Sequence, residues 1–307
     1  MPLQSAQFAG DDRLNKALVD DASHVTPGSF GTHVLKIQLA LETLEQIEIP
    51  FDEKDNLTYG PATADAVLHY KRIRRIINFA IQQDADNIVG KRTIKSLDDE
   101  LLAGGVTRAS QLSIAHRRSR DSLTAVRDRL VGLQSEIDIA DQLPEPARTF
   151  EAGIISVSHA RDMQVLSRRL LVSAQPLDAG LRSALQATIG LMNQNLAQPV
   201  TVVDQGTSGR CALVPGGVPF AATLAGDPHP RVSVCDPFFT ASDDLRRDVI
   251  THEYFHLVGL GDHSVSNVDE ALTNANTIAQ IVAFLFDRDR QVNSDGNEPA
   301  IPPLPSP

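Results

Sequence analysis

The chain is short of positive charge. Its 307 residues carry 28 Lys and Arg against 39 Asp and Glu, a formal net charge of −11 at pH 7. Phosphate binding wants a basic face, so no nucleic-acid partner is expected. Long apolar runs are also missing. None approaches the roughly 20 residues of a membrane-spanning helix, so no membrane span is expected. The N-terminus, Met1-Pro2-Leu3-Gln4-Ser5, has neither the basic region nor the apolar run of a secretory leader. No signal peptide is visible. The chain is therefore expected to be intracellular, to leave by a route without a cleaved leader, or to have lost its leader.

Cysteine and methionine are scarce. Neither Cys211 nor Cys235 sits in a C-x-x-C pair, which argues against zinc-ribbon and thioredoxin-like sites. The two read as buried thiols or, the favoured reading, as one disulfide closing a loop of about 24 residues. By loop-closure entropy such a bond is worth roughly 3 kcal/mol, and it implies an oxidising environment. The three methionines are Met1, Met163 and Met192, so none follows the stretch that carries the chemistry.

That stretch is Val249-Ile250-Thr251-His252-Glu253-Tyr254-Phe255-His256, followed by Gly259-Leu260-Gly261-Asp262-His263. It contains H-E-x-x-H. Histidines four apart lie one turn apart on one helix face, so both imidazoles reach one tetrahedral Zn²⁺. The glutamate between them can take a proton from the attacking water. A third protein ligand must follow, and Asp262 and His263 are the nearby candidates.

The rest reads as two domains of ordinary globular composition, mainly α with a small β-sheet. Residues 1–27 look like a polar tail, with a short helix around Asp12–Asp20. Residues 28–104 form a compact helical domain, opened by an apolar stripe at Val34, Ile37, Leu41 and Leu44. Gly60-Pro61 and Gly90 each mark a turn before a threonine-led helix. Residues 105–150 read as a helical linker, with Leu123, Val126, Leu130, Leu133 and Ile137 at helical spacing. The run Arg117-Arg118-Ser119-Arg120 reads there as a solvated face. Residues 151–290 form the second domain, and residues 291–307 a proline-rich tail. Within the second domain Ile154–Val157 is strand-like, though it could start a helix, Ser173–Asn195 is a long helix, and Pro199–Val203 and Val232–Val234 are strands. Phe220–Thr223 is a further candidate strand, and Asp269–Asp287 a final helix.

Two resemblances sharpen this reading. Val34, Ile37, Gln38 and Leu41, then Tyr59, Gly60, Pro61, Thr63, Ala66 and Val67, then Asp86, Val89, Gly90, Thr93 and Leu97 resemble the three-helix peptidoglycan-binding domain. That likeness implies a three-helix fold for residues 28–104 and cell-wall glycan as a partner. Around the metal motif, Gly259 fits the metzincin pattern. The position three residues after Gly259 is Asp262, however, and no methionine turn follows. Gly259-Leu260-Gly261-Asp262 instead resembles the Gly-Thr-x-Asp segment of deuterolysin-like aspzincins, which include peptidyl-lysine metalloendopeptidases. Val232–Phe239 and Glu270–Ala279 resemble that family's flanking blocks.

The second resemblance implies a zincin-like peptidase domain with Zn²⁺ held by His252, His256 and Asp262. It implies Glu253 as general base and then proton donor to the leaving amine. The family's oxyanion-stabilising tyrosine is Val265 here, and His263 reads either as a stand-in donor or as a histidine that lies behind the ligands or on the surface. Asn274 and Asn276 are candidate contacts to the site or substrate, and Asp269 and Glu270 candidate sources of negative charge. The expected function is a zinc endopeptidase acting on protein or on peptidoglycan stem peptides, secreted or delivered as an effector. The alternative is a non-catalytic wall-binding or secretion-system cargo protein whose zinc site is structural or vestigial.

Overall fold

The computed structural model describes residues 2–77, 82–104, 107–212, 220–223 and 230–287. Helices dominate, joined by one small three-stranded sheet, so the α+β class expected from the sequence is the one observed. The chain divides into two compact units, residues 1–114 and 115–307. None of the described helices is long and apolar enough to cross a membrane.

The first unit contains α1 (Asp12–Val19), α2 (Thr32–Glu45), α3 (Phe51–Asp55), α4 (Pro61–Ile73) and α5 (Lys91–Leu102). The stripe Val34, Ile37, Leu41 and Leu44 on α2 is fully buried, as its spacing predicts. Helix α4 begins after Gly60, with Pro61 in the first turn. Its N-terminus is capped from a distance by Glu53. The Glu53 carboxylate accepts from Ala62 N at 2.8 Å, Thr63 N at 3.0 Å and Thr63 Oγ1 at 2.7 Å. Burial raises the Glu53 carboxyl, but these donors outweigh it and hold the group below its ordinary range. Any side chain at position 60 would meet that carboxylate, since a Cβ there falls 2.4 Å from Glu53.

The N-terminal 27 residues are not a tail. Leu3, Phe8, Leu14 and Val25 are buried in the same core as α2. The Asp98 carboxylate accepts from Gln4 N and Ser5 N, and Val25 pairs with Val89. Burial of these four side chains accounts for the ordering of a segment whose sequence is mostly polar.

In the second unit α6 (Arg108–Asp141) begins before the division and continues past it. Leu123, Val126, Leu130, Leu133, Ile137 and Ala140 are buried in the second unit's core. Most of the segment read as a linker is therefore a core helix. The arginine run also departs from the solvated-face reading. Arg120 donates to the Leu196 carbonyl at 2.7 Å, covering a carbonyl at the end of α9 (Ala179–Ala197). Ile154–Val157 is helical, within α7 (Ala147–Ser158). It has the branched residues of a strand, but Ile155 alone of Ile154, Ile155 and Val157 is buried, the one-sided burial of a surface helix.

Helix α8 (Ala160–Leu170) precedes α9. The strands are β1 (Thr201–Gly206), β2 (Ala221–Ala222) and β3 (Arg231–Cys235), in the order β1-β3-β2. Strand β3 pairs parallel with β1 and antiparallel with β2. Cys235, at the end of β3, forms the expected disulfide with Cys211, with Cα atoms 5.6 Å apart. Then come α10 (Asp243–Leu257), α11 (Val268–Leu272) and α12 (Ala275–Phe286). The single final helix expected over Asp269–Asp287 is broken at Thr273-Asn274, because Asn274 caps a new helix. The proline-rich 291–307 segment lies outside the described residues.

Candidate metal centre

Helix α10 carries the site. Its start follows from Ser242, whose hydroxyl accepts from Leu245 N, and from Asp243 and Asp244 at the positive end of the helix. Every residue from Arg247 to Phe255 is buried, so the helix runs through the interior of its unit. Phe255 packs into the same core as α6, α8, α9 and α12. The backbone that presents the histidines is thereby held on several sides.

Gly259 ends the helix with φ +91, a left-handed conformation that disfavours a side chain. The turn brings the Leu260 carbonyl to 2.8 Å from His256 Nδ1. A carbonyl only accepts, so Nδ1 carries a proton, and in the neutral ring Nε2 is the nitrogen with the lone pair. Beyond the turn the chain runs alongside the α11–α12 junction and delivers Asp262 to the two histidines.

The three groups converge. His252 Nε2 and His256 Nε2 lie 2.9 Å apart, and Asp262 Oδ2 lies 3.4 Å from the first and 3.3 Å from the second. They form a group that could hold a metal ion. With bonds of about 2.0–2.1 Å, a tetrahedral Zn²⁺ separates its ligand atoms by about 3.3–3.4 Å. The observed triangle differs from one face of such a tetrahedron by a few tenths of an ångström on one edge. The donor set, two imidazoles and one carboxylate, is one that catalytic zinc sites use. Residues and group fit.

Protonation in the metal-free site follows from the same contacts. Burial opposes a charged His256. The hydrogen bond to Asp262, the Glu253 charge and the Leu260 carbonyl outweigh burial, and His256 is pushed up to about 9. Burial also raises Asp262, but the two histidines hold its carboxyl well below the usual carboxylate range.

Glu253 is buried beside the donors. Its Oε2 has no hydrogen-bond partner among the described residues. Burial pushes its carboxyl up. The charges of His252 and His256 and a hydrogen bond from Thr223 offset this only in part. Thr223 follows β2 on the outer edge of the sheet. Sequence reasoning missed this contact, because it joins residues thirty positions apart and leaves no local signature.

His263 does not join the cluster. It is exposed, and its Nε2 lies 3.1 Å from the Glu270 carbonyl and 3.3 Å from Thr273 Oγ1. A proton on Nε2 is directed at Glu270 and not at the donors on α10. The stand-in oxyanion role expected for His263 thus has no support in its placement. Val265 packs partly buried against the core. Glu270 turns its carboxylate to Ser266, at 2.7 Å from both N and Oγ. Asn276 is half-buried in the first turn of α12, and Asp269 is exposed on α11. Asn274 is buried, donating to the His263 carbonyl at 2.7 Å.

No protein-family model matches this chain, and no curated protein does either.

Proposed function

We propose that the chain is a zinc-dependent endopeptidase of aspzincin-like character. One observation carries this reading. A buried carboxylate, Glu253, has an oxygen without a partner among the described residues and a raised pKa, on the same helix as two of three convergent groups that could hold a metal. Buried carboxylates are ordinarily paired, and a purely structural site has no use for one left open.

When bound by His252, His256 and Asp262, zinc supplies Lewis acidity toward a scissile carbonyl and toward water. Glu253 takes a proton from the attacking water and passes it to the leaving amine. The raised pKa suits both halves of this duty, since the group must first accept and then release the proton. Thr223 holds the carboxylate through a hydrogen bond from its hydroxyl. A closed structural site with His263 in the coordination sphere would favour the alternative reading, and His263 faces Glu270 instead.

The substrate is a peptide bond of protein or of a peptidoglycan stem. The first unit would direct the chain to cell wall. Its motif residues support a fold of the wall-binding kind. Gln38 donates to Thr63 Oγ1 at 2.8 Å and to the Thr58 carbonyl at 2.9 Å, while Val34, Ile37 and Val67 are core. The disulfide agrees with work in an oxidising compartment, outside the cell or after delivery as an effector.

Zymography on casein and on purified wall, each with a Glu253→Gln control, tests the reading. Hydrolysis by the full chain, lost in Glu253→Gln with zinc content retained, is the expected result. Activity that survives the substitution sinks the mechanism. Sedimentation with insoluble peptidoglycan tests the first unit separately.

A further inference from the structure

We infer that Asn274 is the positioning residue that sets Asp262 in its place as a ligand. The inference rests on the metal reading of the site and concerns how that site is built. Asp262 lies outside helix and strand, after the Gly259 turn. Hydrogen bonds from the α11–α12 junction fix the backbone on both sides of it. Before Asp262, Gly261 pairs in parallel with Asn274. Gly261 N donates to the Thr273 carbonyl at 3.0 Å, and Ala275 N donates to the Gly261 carbonyl at 3.0 Å. After it, Asn274 Nδ2 donates to the His263 carbonyl at 2.7 Å.

The same side chain has a second task. Asn274 Oδ1 accepts from Thr277 N at 2.8 Å and so caps α12. Helix α12 packs in the second unit's core through Ile278, Ile281, Val282 and Leu285. One short amide therefore links a rigid core helix to the loop that carries the third ligand. The two tasks need an acceptor and a donor on one side chain of this length. Asparagine supplies both. Serine and aspartate can cap a helix equally well but lack the amide donor. With Asn274 4% exposed, the hydrogen bond to His263 is shielded from competing water.

This separation makes the role testable. Asn274→Ser and Asn274→Asp keep the cap and remove the clamp, and Asn274→Ala removes both. Zinc affinity of the full chain is measured by competition with a chromophoric chelator. The ligand field is read from the absorption spectrum of the Co²⁺-loaded protein, and fold integrity from the unfolding midpoint of the metal-free protein. Removing a group that orients a metal ligand costs on the order of 10–100-fold in affinity. We expect Asn274→Ser and Asn274→Asp to bind zinc weaker by that factor and to change the Co²⁺ spectrum, while both remain cooperatively folded without metal and the metal-free midpoint of Asn274→Ser falls less than that of Asn274→Ala. A folded Asn274→Ser or Asn274→Asp with wild-type affinity and spectrum overturns the inference. A wild-type chain without saturable zinc binding sinks the metal reading itself, and this inference with it. Loss of affinity in His252→Ala but not in the Asn274 variants refutes the positioning role alone.

Discussion

His256 donates its Nδ1 proton to the Leu260 carbonyl, and the Gly259 turn is what puts that carbonyl there. The contact fixes the tautomer, so the nitrogen facing His252 and Asp262 is the one free to bind metal. In the metal-free protein that nitrogen competes for a proton, with His256 raised to about 9. On the proposed reading zinc must displace this proton, while Asp262 is already ionised. Zinc binding at neutral pH should therefore release protons, and affinity should rise with pH until it levels near 9. Calorimetry in two buffers of different ionisation enthalpy reads the proton release directly, and equal heats in both would contradict it. The linkage to folding has the opposite sign. A raised histidine stabilises the metal-free fold fully below its unfolded value of about 6.5, and this stability is lost as pH rises through about 9. Metal-free protein should accordingly melt lower at pH 9 than at pH 6.5.

Gly259→Ala isolates the turn. A Cβ at this position meets nothing within 4 Å, so the cost is one of backbone conformation and not of crowding. Placing an L-residue in the left-handed region costs about 1–2 kcal/mol. The variant should remain folded, lose about that much stability by denaturant titration, and bind zinc more weakly as the Leu260 carbonyl shifts. A variant as stable as wild type would show that the turn carries no strain for alanine.

The group that could hold a metal was legible only partly from local geometry. A helix puts residues 252 and 256 on one face whatever surrounds it, whereas spacing leaves Asp262 and His263 both open and the family resemblance favours Asp262. Long-range packing was not legible. Leu3, Phe8, Leu14 and Val25 follow no helical or strand period, so only the assembled core reveals why residues 1–27 are ordered. The Ile154–Val157 run has strand propensity, and tertiary context overrode it. The break at Asn274 did leave a signal. An asparagine directly before an apolar-periodic run is a helix-start signal, and the apolar residues on both sides concealed it. The Thr223 contact to Glu253 had no sequence signal.

Arg74 offers a prediction for the first unit. Its guanidinium is 4% exposed and lies 2.8 Å from the Glu45 carboxylate, with Glu100 paired to it on another edge. Burial raises Glu100, and Arg74 reverses this and holds it below its ordinary range. Arg74→Met leaves two buried carboxylates without their main cation. Breaking a buried pair in this way costs about 3–5 kcal/mol. The melting temperature should fall most at neutral pH and recover partly in acid, where the stranded carboxylates take up protons. Thermal unfolding at pH 7 and pH 5 checks this, and an unchanged melting temperature at pH 7 would show that the arginine is dispensable.

The Cys211–Cys235 disulfide closes a loop of 24 residues whose second end is the last residue of β3. Strand β3 is the central strand, bonded to both β1 and β2, and Thr223 lies just beyond β2. The bond should therefore act on stability and on the site together. Loop closure is worth roughly 3 kcal/mol. Reduction should lower the denaturation midpoint accordingly. It should also weaken the hold of Thr223 on Glu253, while His252, His256 and Asp262, on α10 and the turn after it, keep their arrangement. The expected signature in Cys211→Ser/Cys235→Ser protein is reduced hydrolysis with zinc affinity nearly unchanged. Metal titration beside an activity assay separates the two, and a parallel loss of zinc would place the disulfide's influence on the ligands instead.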